Sequence, residues 1–393
     1  MAKKLSTDLT LLAVTVALLG FGLLMVWSSS SALAQERYGS PYYFLVRQAV
    51  WSVIGLAAMV AALRVDYRSL RRPGVVYAVA GVATLSLIVV LFLNPVNDTH
   101  RWIRLGALSF QPAELAKLAV VLFLAYQIER RGERMNELQA LFPALLLLGW
   151  FGFLILIQPD LGTAFTLVLA GGVMLFVAGV KTRYFVVLAV PVLAVLYLAI
   201  VTVDWRLKRI LIFLDPWSDP LGAGYQLRQS LIAVGSGGLT GVGLMEGTQK
   251  LFYLPYPYSD FIYAVIGEEM GMIGALAVLL AFVVLLWRGL KAARGAPDDF
   301  GRFLAAGLTL SIVLQAFINI SVTLGLMPTK GIPLPFISAG GSSLLFALVG
   351  IGLVANVSQP VSYTHIRSHE TIHAIYYAVI CIKKGGGGGG GGG

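Results

Sequence analysis

The polar and apolar positions of this chain fall into long blocks. Apolar runs of bilayer length recur at roughly 9–27, 43–63, 75–93, 112–126, 140–157, 163–180, 184–203, 261–287, 303–325 and 340–357. About 20 apolar residues in a helix cross the hydrocarbon core of a membrane. The pattern therefore predicts an all-α polytopic membrane protein with ten transmembrane helices. The fourth run is short and polar, which predicts a helix packed among others. One long polar, Gly- and Pro-rich segment, 204–260, separates the seventh run from the eighth. A long loop on a rigid scaffold is a place where function concentrates. Within it, Gln226 to Val234 has the spacing of a short amphipathic helix at the interface.

The basic residues set the orientation. Lys3 and Lys4 place the N-terminus in the cytoplasm. Alternation then puts Arg64, Arg68, Arg71 and Arg72 inside, as it does Arg130, Arg131 and Arg134, then Lys181 and Arg183, then Arg288, Lys291 and Arg294. Short inner loops rich in Lys and Arg are the expected signature of cytoplasmic segments. The same alternation puts 204–260 outside. Asp298 and Asp299 then fall in a solvated inner loop. The first run lacks a small-residue cleavage site, so no cleavable signal peptide is expected.

Composition agrees. The chain has 393 residues, 58% of them hydrophobic and 12% charged, and soluble proteins carry about twice that charged share. The net charge of +10 comes from basic residues in short loops between apolar runs and needs no nucleic-acid partner, since no basic stripe with interleaved aromatics occurs. The one cysteine, Cys381, excludes an internal disulfide framework.

Some outer segments are too particular to be mere connections. Asn94 to Gln111 leads into Pro112, with Glu114 and Lys117 one turn inside a span. That spacing puts the two charges on one helix face, where they form a structural ion pair or line a polar cavity. Asp160, in Gln158-Pro159-Asp160-Leu161-Gly162-Thr163, joins that cluster or caps its own helix. Glu268 and Glu269 sit two turns into a span and are expected to buttress the same cavity. Arg101 and Lys330 lie on outer segments, either as surface charges or as contacts for an anionic group. Trp102 fits a sugar contact or an interfacial belt. The glycines of 235–243 suit a phosphate cradle or simple flexibility. Asp215 and Asp219 flank a Pro-Trp turn and read as loop structure. Asn319 to Ser343 is broken by prolines and by Gly340-Gly341, and broken backbone at membrane depth must be buried in protein or line a cavity. Asp260, at the brink of an apolar run among Tyr256, Tyr258 and Phe261, is either a partly desolvated base or, with Ser259, a helix cap.

Taken in order, these motifs resemble the SEDS family (shape, elongation, division and sporulation) of bacterial cell-wall proteins over about residues 8–358. The carriers are Arg-Trp-Ile-x-Leu-Gly and Gln-Pro-x-Glu-Leu-x-Lys within 101–117, Gln-Pro-Asp-Leu-Gly-Thr at 158–163, Val-Gly-Ser-Gly-Gly at 234–238, Asp-Phe-Ile-Tyr-Ala-Val-Ile-Gly-Glu-Glu at 260–269, and 319–343. Pro328-Thr329-Lys330-Gly331 and Gln249-Lys250 resemble the division branch more than the elongation branch. Ala339 departs from the usual Tyr. The resemblance implies a peptidoglycan glycosyltransferase that polymerises lipid II outside the bacterial plasma membrane. It also implies a class B penicillin-binding protein and the division machinery as partners, and the division septum as the place of work. A lipid II flippase and a non-catalytic division scaffold are the alternatives.

That reaction needs a base for a sugar hydroxyl and positive charge for a departing diphosphate. Asp260 is thus expected to be the catalytic base, with Arg101, Lys330 and Trp102 as substrate contacts. Glu114, Lys117, Asp160 and Glu268 are the supporting charge cluster. No protein metal site is expected, although Mg²⁺ or Mn²⁺ is compatible with an anionic leaving group. His369-Glu370-Thr371-Ile372-His373, extended by His365, matches a zinc-protease motif. It lies on the cytoplasmic side, beyond the resemblance, and without a downstream ligand. Residues 359–393, ending in nine glycines, are expected to lie outside the native fold.

Overall fold

The computed structural model describes residues 8–95, 99–105, 108–219, 222 and 224–359. Lys3, Lys4, the histidine motif near 369 and most of the tail lie outside them. Each of the ten apolar runs is a helix: α1 (Leu9–Tyr38), α2 (Tyr43–Arg64), α3 (Pro73–Val89), α4 (Pro112–Arg131), α5 (Leu138–Ile157), α6 (Leu161–Val177), α7 (Thr182–Val201), α10 (Ile262–Arg294), α11 (Asp299–Thr323) and α12 (Ser342–Val357). The segment between α7 and α10 holds two more, α8 (Asp204–Leu214) and α9 (Tyr225–Gly237). Among the described residues, α1, α2, α3 with its extension to Phe92, α5, α7, α10 and α11 are long and apolar enough to cross a membrane. α6 and α12 are shorter apolar helices.

The all-α class holds, with three refinements. Ile103–Leu105 and Leu108–Phe110 form a small antiparallel hairpin with Ile103 opposite Phe110. The 204–260 segment is not a single loop. α9 extends the expected amphipathic helix, while α8 was masked by its charges. And α1 runs well past Trp27. Ser29 and Ser30 donate their hydroxyls to the carbonyls of Met25 (2.7 Å) and Val26 (2.6 Å) one turn back. Such back-bonding hides a serine's polarity inside an apolar helix.

α4 is buried on most sides, as its short polar run predicted, whereas no residue of α7 is buried. α2 and α12 approach closely through small residues, as helices in membranes do. A Cβ on Gly55 would lie 2.5 Å from Leu348 Cδ1, and one on Gly352 would lie 2.5 Å from Met59 O. At the end bearing the N-terminus of α1, Arg288 pairs with Asp8 at 2.7 Å. Asp298 at that same end is not free surface. It caps α11 through Gly301 N–H and accepts from Tyr67 Oη (2.7 Å) and Arg68 Nε (3.2 Å). The opposite end collects the hairpin, the N-termini of α4, α6, α10 and α12, and the segment 324–341.

Candidate active site

At that opposite end lies a cavity of about 1220 Å³. Its walls come from α2, the hairpin, α4, the α5–α6 turn, α8, the segment before α10, and 324–341. The broken segment 324–341 is fixed from within. Asn319 Nδ2 donates to Ile332 O (2.6 Å) and to Asp260 O (2.8 Å). Gln315 Nε2 reaches Pro333 O (2.9 Å), and Ser338 Oγ donates to Ser259 O (2.5 Å). The same side chains thus hold the irregular backbone and the main chain of Asp260, as membrane-depth irregularity requires.

Asp260 lines the cavity. It does not cap α10: Phe261 takes the N-cap position, with no side-chain cap bond. Burial pushes the Asp260 carboxyl up to about 6, against the opposing pull of Ser259, Lys330, Arg101 and Arg209. A Cβ on Gly331 would stand 2.7 Å from Asp260 Oδ2, so only glycine leaves the carboxylate its place.

Arg101 and Lys330 are brought together, but through Asp160. Lys330 Nζ lies 2.6 Å from Asp160 Oδ1, and Arg101 Nε lies 3.6 Å from Oδ2. Asp160 also caps α6, accepting from Thr163 N–H (3.2 Å) and Thr163 Oγ1 (2.9 Å), as one reading of it expected, while its ion partners are Lys330 and Arg101 and not the Glu114–Lys117 pair. Burial would raise its carboxyl, but Lys330 and then Arg101 outweigh burial and hold it below the usual range. Burial presses Lys330 below its ordinary value, with Asp160 pulling the other way. Arg101 is anchored further by donating to the carbonyls of Gln158 (3.3 Å) and Pro159. Deeper in, Lys117 Nζ lies 2.8 Å from Glu114 Oε2 and 2.6 Å from Gln315 Oε1. Glu114, Lys117 and Trp102 all line the cavity.

Two expectations are corrected. Glu268 is not among the residues lining this cavity. Its carboxylate is turned to the loop after α9, accepting from Thr248 N–H (2.8 Å) and Gln249 N–H (3.1 Å). The glycines of 235–243 make no phosphate cradle, because Val242 N–H and Gly243 N–H are already donated to Glu268 O and Glu269 O. Arg206 and Arg209, not foreseen, line the cavity from α8. Their i,i+3 spacing beside Trp205 was visible, but it acquires meaning only once 204–214 is known to be a helix. Arg206 Nε and Trp51 Nε1 are buried and have no hydrogen-bond partner among the described residues.

The donor set does not fit a resident divalent ion. Among the described residues no three His, Cys, Asp or Glu side chains converge, and Asp160 is already occupied by two cations.

These features define a multi-pass helical membrane protein with a charged cavity at one end of its bundle. A family model described as "Cell cycle protein", spanning FtsW, RodA and SpoVE, matches residues 9–363. The chain belongs to this family, the one its motifs resemble. It is 42% identical over 360 residues to "Probable peptidoglycan glycosyltransferase FtsW" of Geobacter metallireducens, covering 89% of this chain and 94% of that protein. It is also 42% identical over 359 residues to "Stage V sporulation protein E" of Bacillus subtilis, covering 91% and 98%. Among solved structures, a chain of a peptidoglycan synthase complex that coordinates polymerization and crosslinking matches with a TM-score of 0.75 at 30% identity, over 90% of this chain and 98% of that one. The rod shape determining protein RodA of Thermus thermophilus matches with a TM-score of 0.66 at 28% identity, over 90% and 97%.

Proposed function

We propose that this protein is a peptidoglycan glycosyltransferase of cell division that polymerises lipid II at the outer face of the bacterial plasma membrane. The observation that carries the mechanism is the placement of Asp260. A carboxylate with its pKa raised to about 6 lines a large cavity together with Lys330, Arg101 and Arg209. At neutral pH it is mostly ionised, yet basic enough to accept a proton as a bond forms.

In this reading Asp260 takes the proton of the acceptor sugar's 4-hydroxyl. The hydroxyl oxygen bonds to the donor's anomeric carbon, and the bond from that carbon to the lipid diphosphate breaks. The diphosphate leaves with the electron pair. Arg101 and Lys330, steadied by Asp160, oppose the developing negative charge, and Arg206 and Arg209 add to the positive field. Preorganised charge of this kind acts strongly where water is excluded. Trp102 supports a sugar face, and the Glu114–Lys117 pair holds the floor. Mg²⁺ or Mn²⁺ would be held by the substrate diphosphate and would neutralise part of its charge.

The topology proposed with this function has ten spans and a cytoplasmic N-terminus, with the cavity outside. It rests on the basic inner loops and on a cavity at the opposite end of the bundle from the Arg288–Asp8 pair. The proposed partner is a class B penicillin-binding protein within the division machinery. The test is gel-resolved glycan made from lipid II by the purified protein, with and without that partner. Polymer that depends on this chain supports the reading. Transport of lipid II without polymer would replace it with a flippase.

A further inference from the structure

α10 is interrupted. Gly271 has φ 64° and ψ −163°, so residues 262–270 form a short stub ahead of the main helix. The loop after α9 fills the interruption. Val242 N–H and Gly243 N–H donate to Glu268 O (3.0 Å) and Glu269 O (3.1 Å), while Met272 N–H and Ile273 N–H donate to Gly238 O (2.9 Å) and Leu239 O (3.2 Å). The polar groups freed by the break are thereby satisfied. Gly241 (φ +84°) makes this approach possible, since a Cβ there would lie 2.1 Å from Glu269 O.

The side chains at the break add a second layer. Glu269 accepts from Ser28 Oγ of α1 (2.7 Å), from Met245 N–H (3.0 Å) and from Lys250 Nζ (2.6 Å). Lys250 Nζ also donates to Ser28 Oγ (3.0 Å). Glu268 holds Thr248 and Gln249 from the same stub. Lys250 is 6% exposed and Glu269 1%. A buried ion pair is weak evidence for stability, and its best-attested use is to fix one geometry among several. None of these residues is among those lining the cavity. They join α1, the loop and the stub, and Asp260 stands two residues before the stub, next to its N-cap Phe261. The glycine break is the kind of point about which a short helix pivots.

We propose that the Lys250–Glu269 pair, with Ser28, is a positioning latch that fixes the α10 stub and so holds Asp260 against Lys330 and Arg101. The proposal rests on the glycosyltransferase reading of Asp260. Lys250 and Glu269 are positioning residues: they set the orientation of the base and leave binding of the lipid to other groups.

The test uses the full chain in lipid vesicles with the class B penicillin-binding protein present, as wild type, Lys250→Met, Glu269→Gln and the double variant. Each single variant is expected to lower kcat at least tenfold while KM for lipid II stays within about twofold, the signature of a lost transition-state arrangement. The double variant is expected to fall no further than the singles, because one unit has been broken. The acid limb of the kcat–pH profile is expected to move as Asp260 changes its neighbours. Hydrogen exchange is the second readout. Amides of 241–273 should exchange faster, since Met272 and Ile273 N–H are bonded to the loop, and those of 276–294 should not. Single variants with wild-type kcat, or exchange raised evenly through all helices with kcat and KM changed together, would overturn the latch. If the wild type makes no polymer, the glycosyltransferase reading fails by itself. Exchange then decides the latch alone: acceleration confined to 241–273 supports it, and an unchanged pattern refutes it.

Discussion

Lys330 lays its side chain across Gly162 and ends 2.6 Å from Asp160 Oδ1. A Cβ on Gly162 would lie 2.1 Å from Lys330 Cε and 2.4 Å from Cδ. The glycine is therefore part of the site, as the floor over which the lysine reaches its carboxylate. Gly162→Ala is expected to displace a flexible side chain and not the backbone. It should keep the fold, with a small loss of Tm, and lower polymerisation at least tenfold. Thermal melts beside initial rates of glycan formation check both halves.

The Asp160 network separates stability from activity. Removing one partner of a buried pair leaves an uncompensated charge and costs about 3–5 kcal/mol. Arg101 remains near Asp160, so Lys330→Ala is expected at the lower end of that range, with activity lost. Lys330→Arg keeps the charge and should lose less. The pair Asp160→Asn with Lys330→Met should recover the melting temperature but not the activity. Recovery of both would assign the pair to structure alone.

Arg206 and Arg209 act on the substrate in this account, and neither forms a salt bridge within the described residues. Arg206→Ala and Arg209→Ala should raise KM for lipid II severalfold. The effect should shrink as salt rises, since both residues are only partly buried and charges in contact with solvent are screened. KM measured at two ionic strengths is the check, and salt-independent values would remove both residues from the diphosphate grip.

Much of this was legible in the sequence, for physical reasons that differ by element. The ten helices were written in block hydrophobicity, and Glu114 with Lys117 in a three-residue spacing. α8 was not legible, because Asp204, Arg206, Lys208 and Arg209 hide its apolar face in any average over the segment. The hairpin at 103–110 is too short to declare a period. Glu268 does not support the cavity wall directly, as its spacing within the span suggested, but holds the loop after α9. Its partners are backbone N–H groups 19 and 20 residues earlier, which no helical spacing reveals. The joint role of Asp160, as cap and counter-ion, required the fold to bring Lys330 across from 170 residues away.

The raised pKa of Asp260 makes a linked prediction about pH. A base must be ionised to act, so kcat is expected to fall about tenfold per pH unit below about 6. Stability runs the other way. The folded-state pKa lies above the ordinary carboxylate value, so the folded state holds this proton more tightly than the unfolded one. Ionisation of Asp260 therefore lowers stability as pH rises from about 4 through about 6. Asp260→Asn removes that penalty and should melt no lower than wild type at pH 7. A wild-type profile flat from pH 5 to 8 would contradict the first half, and a markedly less stable Asn variant the second.

The most direct measurement is glycan synthesis by purified Asp260→Asn beside wild type, with the class B penicillin-binding protein present in both. Asn keeps the shape of the side chain and cannot accept the proton. General-base catalysis is worth about 10²- to 10⁴-fold, so the account predicts a folded, lipid-binding variant that makes almost no polymer. A folded Asn variant that polymerises lipid II at the wild-type rate would contradict it.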